Sequence, residues 1–281
     1  MNVKIIIDST TDSTPALLEN CAIVPLCVRF GDTEFVDGVT ITHKEFYEKL
    51  IESDELPTTS QPTPDAFSQV FQKVVDAGDK AVVLTVSSEL SGTYQSACIA
   101  AADFPGSIYV VDSRTVTIGT GILAQLAVEL AQQGLDVETI VQRLTAERDN
   151  VRLIAMLDTL EYLKKGGRIS KTVAFAGNLL AIKPVVCVED GVIKMLGKAR
   201  GSKQANNLLV EEIRKTGGVD FSKPVLLGYT GLSDILLKKY IEDSAALWSE
   251  SPTPPAYTPI GSVIGTHAGP GAIAAAFFAK N

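Results

Sequence analysis

The stretch that decides the fold is AVVLTVSSELSGT, residues 81–93. Its first part, Ala81–Val86, is a short apolar run rich in β-branched residues, which is typical of a buried strand. Polar residues follow at once, and a helix is predicted from about Gly92 to Ala102. The stretch therefore predicts a strand, a hydroxyl-rich turn and a helix in succession.

The same unit recurs through the first half of the chain. Lys4–Ile7 ends in Asp8-Ser9-Thr10, and Ile108–Val111 ends in Asp112-Ser113. Alternating short strands and helices predict an α/β domain with a parallel sheet over residues 1–150. A further strand is predicted at Ile23–Phe30, where Pro25 favours a sheet edge. Helices are predicted at Pro15–Glu19, His43–Ser53, Pro64–Ala77, Thr117–Gln133 and Val137–Asn150.

The second half of the chain has a different pattern. Asp190-Gly191 separates the segments Pro184–Glu189 and Val192–Gly197, which is a strong hairpin signal. We expect residues 151–281 to form an α+β domain with a mixed or antiparallel sheet that closes over a binding site. Strands are also predicted at Arg152–Leu157 and Val225–Tyr229, and helices at Thr159–Lys165, Lys171–Asn178, Ser202–Lys215 and Ser233–Ser249.

The C-terminal stretch IGSVIGTHAGPG, residues 260–271, contains His267, one of two histidines in the chain. We expect an apolar strand that runs into His267. The Gly-Pro-Gly turn after it is expected to open an alanine-rich helix over Ala272–Ala279. Backbone N–H groups at that helix start, with the imidazole beside them, predict a site for an anion.

Composition excludes several classes of protein. The chain has 281 residues, of which 46% are hydrophobic, and its formal net charge is −8. A disordered chain is excluded by the apolar content, and an acidic balance argues against nucleic acid as a partner. Four cysteines without a Cys-x-x-Cys pair predict neither disulfides nor a metal site. With no signal peptide at its N-terminus, the chain is predicted to be cytoplasmic.

Hydroxyl side chains follow three of the strands predicted in the first half, Lys4–Ile7, Ala81–Val86 and Ile108–Val111. Carboxyl ends of parallel strands meet at one sheet edge, where α/β proteins bind ligands. The segments Ser91-Gly92-Thr93 and Thr58–Thr63 add hydroxyls just before helices. For any single serine or threonine, a helix cap or turn is the better explanation. Together they indicate an anion-binding edge.

Two other functions stay open on the residues alone. Ser91, His267 and either Asp8 or Asp112 would form the triad of a serine-dependent acyl hydrolase or transferase, and Ser9 is the alternative nucleophile with His267. Alternatively, a small phosphate-containing ligand would bind at the strand ends beneath the basic segments Gly166–Arg168 and Lys198–Lys203. The chain contains no Walker loop and no Gly-x-Ser-x-Gly motif.

Several short motifs, in this order along the whole chain, resemble those of the DegV family of bacterial fatty-acid-binding proteins. The motifs are Asp8-Ser9-Thr10 with Asp12, Thr59–Pro62, Ser87-Ser88 with Leu90–Tyr94 and Ser96-Ala97, Asp112-Ser113, Leu160–Ser170, Lys183-Pro184 and Ile264–Gly271.

The resemblance implies a two-domain fold with a long-chain fatty acid between the domains. The acyl chain would lie in an apolar tunnel, and hydroxyls and a histidine would bind the carboxylate. Matching motifs place that role on Thr59 or Ser60, on Ser91 and Gly92, and on His267. No metal or cofactor is implied.

The resemblance also implies a partner protein. In such systems a separate fatty acid kinase subunit phosphorylates the bound carboxylate, so the chain itself would be a lipid-binding protein and not an enzyme. Arg200 corresponds to the residue that docks the kinase. At most transient contact with a membrane surface is expected. Candidates for the tunnel wall are Phe175, Leu179, Leu180, Ile182 and Phe277.

Overall fold

The computed structural model describes residues 2–169 and 181–280. The predicted helix Lys171–Asn178 and the wall candidates Phe175, Leu179 and Leu180 lie outside the described residues. None of the helices in the described ranges is long and apolar enough to cross a bilayer.

The strands and helices alternate through most of the chain. In chain order the strands are β1 (Val3–Asp8), β2 (Cys21–Val24), β3 (Cys27–Phe30), β4 (Thr33–Val36), β5 (Thr58–Ser60), β6 (Lys80–Thr85), β7 (Ile108–Asp112), β8 (Val151–Met156), β9 (Ile182–Glu189), β10 (Val192–Arg200), β11 (Leu226–Tyr229), β12 (Ala256–Pro259) and β13 (Ile273–Phe278). The helices are α1 (Pro15–Leu18), α2 (His43–Glu52), α3 (Pro64–Asp76), α4 (Thr93–Ala101), α5 (Ile118–Gln132), α6 (Val137–Glu147), α7 (Glu161–Lys165), α8 (Gly201–Lys215), α9 (Ile235–Asp243), α10 (Ala245–Trp248) and α11 (Ser262–Ala268).

Three sheets are formed by these strands. The first is parallel, with strand order β2-β1-β6-β7. A six-stranded mixed sheet has the order β10-β9-β8-β13-β11-β12, and only its β11–β12 pair is parallel. A small antiparallel sheet has the order β4-β3-β5. The fold is therefore the expected α/β arrangement followed by a mixed-sheet α+β part.

Helix α5 joins the two large sheets through one core. Ile122 of α5 is fully buried, and the same cluster contains Ile7 and Leu84 of the parallel sheet. Leu153 and Ala276 of the mixed sheet pack into it from the other side. Apolar burial of this kind is the main stabilising term of a fold, so the relative position of the sheets depends on α5.

The prediction of a single strand over Ile23–Phe30 is wrong. The segment breaks at Pro25, and its two parts become β2 of the parallel sheet and β3 of the small sheet. Proline lacks the N–H that a continuous ladder needs. Thr58–Ser60, expected as part of a turn, forms β5 because it pairs with β3.

Both predictions for the C-terminal stretch are also wrong. The expected strand before His267 is helix α11, and the expected helix Ala272–Ala279 is strand β13. Strand β13 pairs with β8 on one side and β11 on the other, and all six of its residues are buried. Tertiary packing here overrides the helix propensity of alanine. His267 therefore lies in the last turn of a helix, and no helix begins at Ala272.

The turn between α11 and β13 needs its glycines. Gly269 has φ = 70° and Gly271 has φ = 80°, which are left-handed values that glycine adopts without a steric penalty. The Gly-Pro-Gly sequence thus reverses the chain from α11 into the central strand β13.

We predict that Gly265→Ala lowers the free energy of unfolding by about 1–3 kcal/mol, because it overpacks the contact between α11 and α2. An added Cβ would lie 2.5 Å from Tyr47 Oη and 2.7 Å from Phe46 Cε1. Urea denaturation measures the effect. Wild-type stability in this variant would contradict the close contact.

Candidate functional site

An apolar cavity lies between the carboxyl ends of the parallel sheet and one face of the mixed sheet. It holds about 900 Å³ of space outside the protein atoms, its open mouth included. Alanines of the mixed sheet, Ala155 and Ala274, form part of its floor. The other apolar lining residues are Leu26, Val86, Leu90, Val116, Leu153, Leu157, Leu163, Val186, Val188, Ile193, Ile260, Val263, Ile264, Ala268 and Ala272.

Thr59 and His267 meet in the wall of this cavity. Thr59 Oγ1 lies 3.0 Å from His267 Nε2, so strand β5 and helix α11 are joined by a hydrogen bond. Ser60 is exposed and pairs with Cys27 on β3. Successive residues of a strand point to opposite faces, and of the two candidates on β5 only Thr59 lines the cavity.

Ser91 and Gly92 lie at the start of α4. Ser91 lines the cavity, and its hydroxyl is 2.9 Å from Thr93 Oγ1. Gly92 is the N-cap residue, and a Cβ there would clash with the side chain of Gln61. The Gln61 amide donates to Gly92 O at 3.2 Å. The loop before α4 is thereby packed against the segment that follows Thr59.

His267 is held in its neutral form. Burial, together with the smaller effect of the nearby Arg168 guanidinium, lowers the pKa of its imidazole to about 4. Nδ1 of the ring is buried and has no hydrogen-bond partner among the described residues. A Cβ on Gly166 would clash with this atom. One ring nitrogen is therefore hydrogen-bonded to Thr59, and the other has no partner in the part of the chain that the structure describes.

Arg168 is a site residue that the sequence marked only as part of a basic segment. It is exposed and lines the cavity. Its Nε donates to Leu90 O at 3.2 Å, and its Nη1 donates to Gly166 O at 2.6 Å. These bonds place a positive charge beside Ser91 and His267. The sequence Gly166-Gly167-Arg168 marked a basic segment. The contacts in the folded protein are needed to show which groups Arg168 lies beside.

The residues of the possible catalytic triad are engaged elsewhere. Ser91 bonds Thr93, and His267 bonds Thr59. Asp8 accepts from Thr10 and from the Val86 N–H. Asp112 accepts from Ser88 and from the Arg114 N–H. No Ser–His–Asp relay is formed among the described residues.

Arg200 lies outside the cavity. It is the exposed last residue of β10 and the N-cap of α8, where its N–H donates to Gln204 Oε1 at 3.2 Å. Gly201 follows with φ = 74°. Arg200 is therefore exposed at the surface, at a sharp turn from strand β10 into helix α8.

The DegV family model matches residues 2–280 of the chain. The chain belongs to the DegV family. A DegV domain-containing protein of Caldanaerobacter subterraneus is 37% identical over 281 residues, covering 98% of this chain and 98% of that protein.

Two solved structures resemble this DegV protein over its whole length. One is the fatty-acid-binding DegV family protein of Thermus thermophilus, with a TM-score of 0.89, 32% identity and coverage of 100% of both chains. The other is the Fatty Acid Kinase (Fak) B3 protein of Streptococcus pneumoniae loaded with linoleic acid, with a TM-score of 0.87, 25% identity and coverage of 100% of both chains.

We predict that His267 stays neutral through most of the acidic range. With two histidines in the chain, proton NMR should show two imidazole Cε1–H signals. The His267 signal should titrate with a pKa of about 4. Arg168→Gln should raise that pKa, because one positive charge is removed. A His267 midpoint near the ordinary value of about 6.5 would contradict the buried, neutral ring.

Proposed function

We propose that this DegV protein binds a long-chain fatty acid between residues 1–150 and residues 151–281, taken as its two domains, in the cytoplasm and without a cofactor. The carboxylate would be bound by Thr59, Ser91, the Gly92 N–H and His267. One observation carries the proposal: a largely apolar cavity wall contains a polar group made of Thr59, Ser91, His267 and Arg168. Relatives of the same fold bind fatty acids.

The energetics of such a complex are favourable. Each methylene removed from water contributes about 0.8 kcal/mol, so an acyl chain in this cavity supplies ample binding energy. A carboxylate buried with it must be hydrogen-bonded or neutralised. Ser91 and a neutral His267 can donate, and Arg168 supplies the compensating charge at the exposed side.

The choice of Thr59 over Ser60 follows from strand geometry. Thr59 faces the cavity and contacts His267, whereas Ser60 lies on the other face of β5. Ser60 therefore supplies a matched control on the same strand.

We predict that Ser91→Ala and His267→Ala each weaken fatty acid affinity by about tenfold or more, since each removes a hydrogen bond to a charged group worth about 1.5–3 kcal/mol. Mass spectrometry of an organic extract should find a fatty acid in wild type and less in these variants. Titration with a fluorescent fatty acid gives the affinities.

Ser60→Ala should retain wild-type affinity in the same titration. Circular dichroism checks that every variant is folded. A wild-type protein that neither carries nor takes up any fatty acid would contradict the proposal, as would wild-type affinity in both site variants.

We further propose that the protein presents its ligand to a fatty acid kinase catalytic subunit and does not catalyse the reaction itself. The kinase would transfer the γ-phosphoryl group of ATP to a carboxylate oxygen, yielding an acyl phosphate and ADP. Support comes from the likeness to the Fak B3 protein. Arg200, exposed on a sharp turn outside the cavity, is the proposed docking residue.

We predict that Arg200→Glu slows acyl-phosphate formation by such a kinase about tenfold or more, because reversing an interface charge opposes association. Fatty acid affinity should not change, since Arg200 does not line the cavity. Arg214→Glu, an exposed arginine near the other end of α8, is the control. Equal rates for wild type and Arg200→Glu would exclude Arg200 from docking.

A further inference from the structure

The helix that carries His267 is anchored at its start by buried carboxyl groups. Asp12 Oδ1 accepts a hydrogen bond from the Gly261 N–H at 2.7 Å. Asp37 accepts from the backbone and side chain of Ser262, the first residue of α11. With seven residues, α11 has about two turns, so the place of His267 depends on how the helix begins.

Gly261 makes this close approach possible. A Cβ at that position would lie 3.1 Å from Asp12 Oδ1, which is tighter than ordinary van der Waals contact. The residue has ordinary extended dihedrals, φ = −68° and ψ = −178°. Glycine is therefore suited to this position by the space that the carboxylate occupies.

The second oxygen of Asp12 holds another part of the cavity wall. Asp12 Oδ2 accepts from the Thr117 hydroxyl at 2.6 Å. Thr117 lines the cavity and is the N-cap of α5, with φ = 52° and ψ = −127°. These dihedrals are strained for a β-branched residue and persist only where the surroundings hold them. One carboxyl group thus ties the start of α5 to the start of α11.

The groups around Asp12 are acids. Asp8 of β1 and Asp37 act on it electrostatically, and burial is the largest cause that raises its pKa, to about 7. Burial likewise raises the pKa of Asp8 and of Asp37. Tyr47 of α2, which donates to Ile260 O at 3.0 Å, is the other titratable group facing Asp12. Among the described residues, no group of three or more His, Cys, Asp or Glu side chains is placed to hold a metal ion.

We propose that Asp12 is a positioning residue for the carboxylate site, because its two hydrogen bonds set where α11 begins and how Thr117 borders the cavity. The inference rests on the proposed function. Gly261 and His267 are six residues apart, about 9 Å along a helix. Ionisation of Asp12 thus adds a negative charge to the same interior that takes up the fatty acid carboxylate.

Three variants separate this role from simple stabilisation. Asp12→Ala removes both hydrogen bonds. Asp12→Asn keeps an acceptor for Gly261 and places an NH₂ toward Thr117, while removing the ionisable group. Asp136→Ala is the control, because exposed Asp136 also caps a helix start, with Thr139 N–H donating to it at 2.8 Å.

The experiment measures the dissociation constant of one fluorescent fatty acid from about pH 5.5 to pH 8.5, with the His267 NMR signal recorded in parallel. Wild-type affinity should fall roughly three- to tenfold as Asp12 ionises. Asp12→Asn should bind at least as well as wild type at high pH and show a smaller pH dependence. Asp12→Ala should bind about tenfold more weakly and shift the His267 signal. Asp136→Ala should match wild type in both readouts.

Each outcome bears on a different claim. If wild type binds no fatty acid, the proposed function fails. If wild type binds, and folded Asp12→Ala binds with wild-type affinity and leaves the His267 signal unmoved, the positioning role of Asp12 is overturned. If Asp12→Asn retains the full pH dependence, ionisation of Asp12 does not act on the site. Because Asp12→Asn is nearly isosteric, this comparison stands even if Asp12→Ala does not fold.

Discussion

The packing of α5 between the two large sheets is the contact on which the site depends. Ile118 and Ile122 are fully buried in a core that both sheets share, so the sheets are held at one separation. The helix covers only part of the mixed-sheet face. On that face, small residues such as Ala155 and Ala274 line the cavity together with Leu153 and Val186. A gap lined by methyl groups loses dispersion contacts and is costly when empty. A flexible apolar ligand that filled the gap would restore those contacts, which supports the proposed binding of a fatty acid.

Among the described residues of this wall, the polar groups are arranged without a buried ion pair. The Thr59–His267 hydrogen bond links the small sheet to α11, and burial keeps the imidazole neutral at physiological pH. A neutral ring avoids the large desolvation cost of a buried cation. Arg168 carries the positive charge, but it does so from an exposed position held by two backbone carbonyls. A carboxylate placed among these groups would gain hydrogen bonds inside the cavity and charge compensation at its edge.

Sequence patterns predicted the parallel sheet well because its strands are short β-branched runs that end in polar turns. The predictions for residues 260–279 were wrong for two physical reasons. Glycines alternating with apolar residues are compatible with a strand or a helix. Alanine favours a helix, but here β8 and β11 pair with the alanine-rich segment on both sides. His267 was singled out, although the helix N-terminus expected beside it does not exist. Asp37 could not have been found, since its role depends on Ser9 and Ser262, which are distant in sequence. The difference between Thr59 and Ser60 required the pairing of β5 with β3.

Buried titratable groups give the fold two opposing responses to pH. The pKa of His267, about 4, lies below its ordinary value. As pH falls from about 6.5 toward 4, the unfolded chain therefore gains a proton that the native protein does not, and the free energy of unfolding decreases. Asp12 has a raised pKa of about 7. The free energy of unfolding that protonated Asp12 contributes is therefore lost as pH rises from about 4 toward 7. A carboxylate bound near His267 would raise the pKa of the imidazole and add to the field that keeps Asp12 protonated. Ligand uptake and proton uptake are then linked, because both buried groups hold a proton more tightly when the cavity contains an anion.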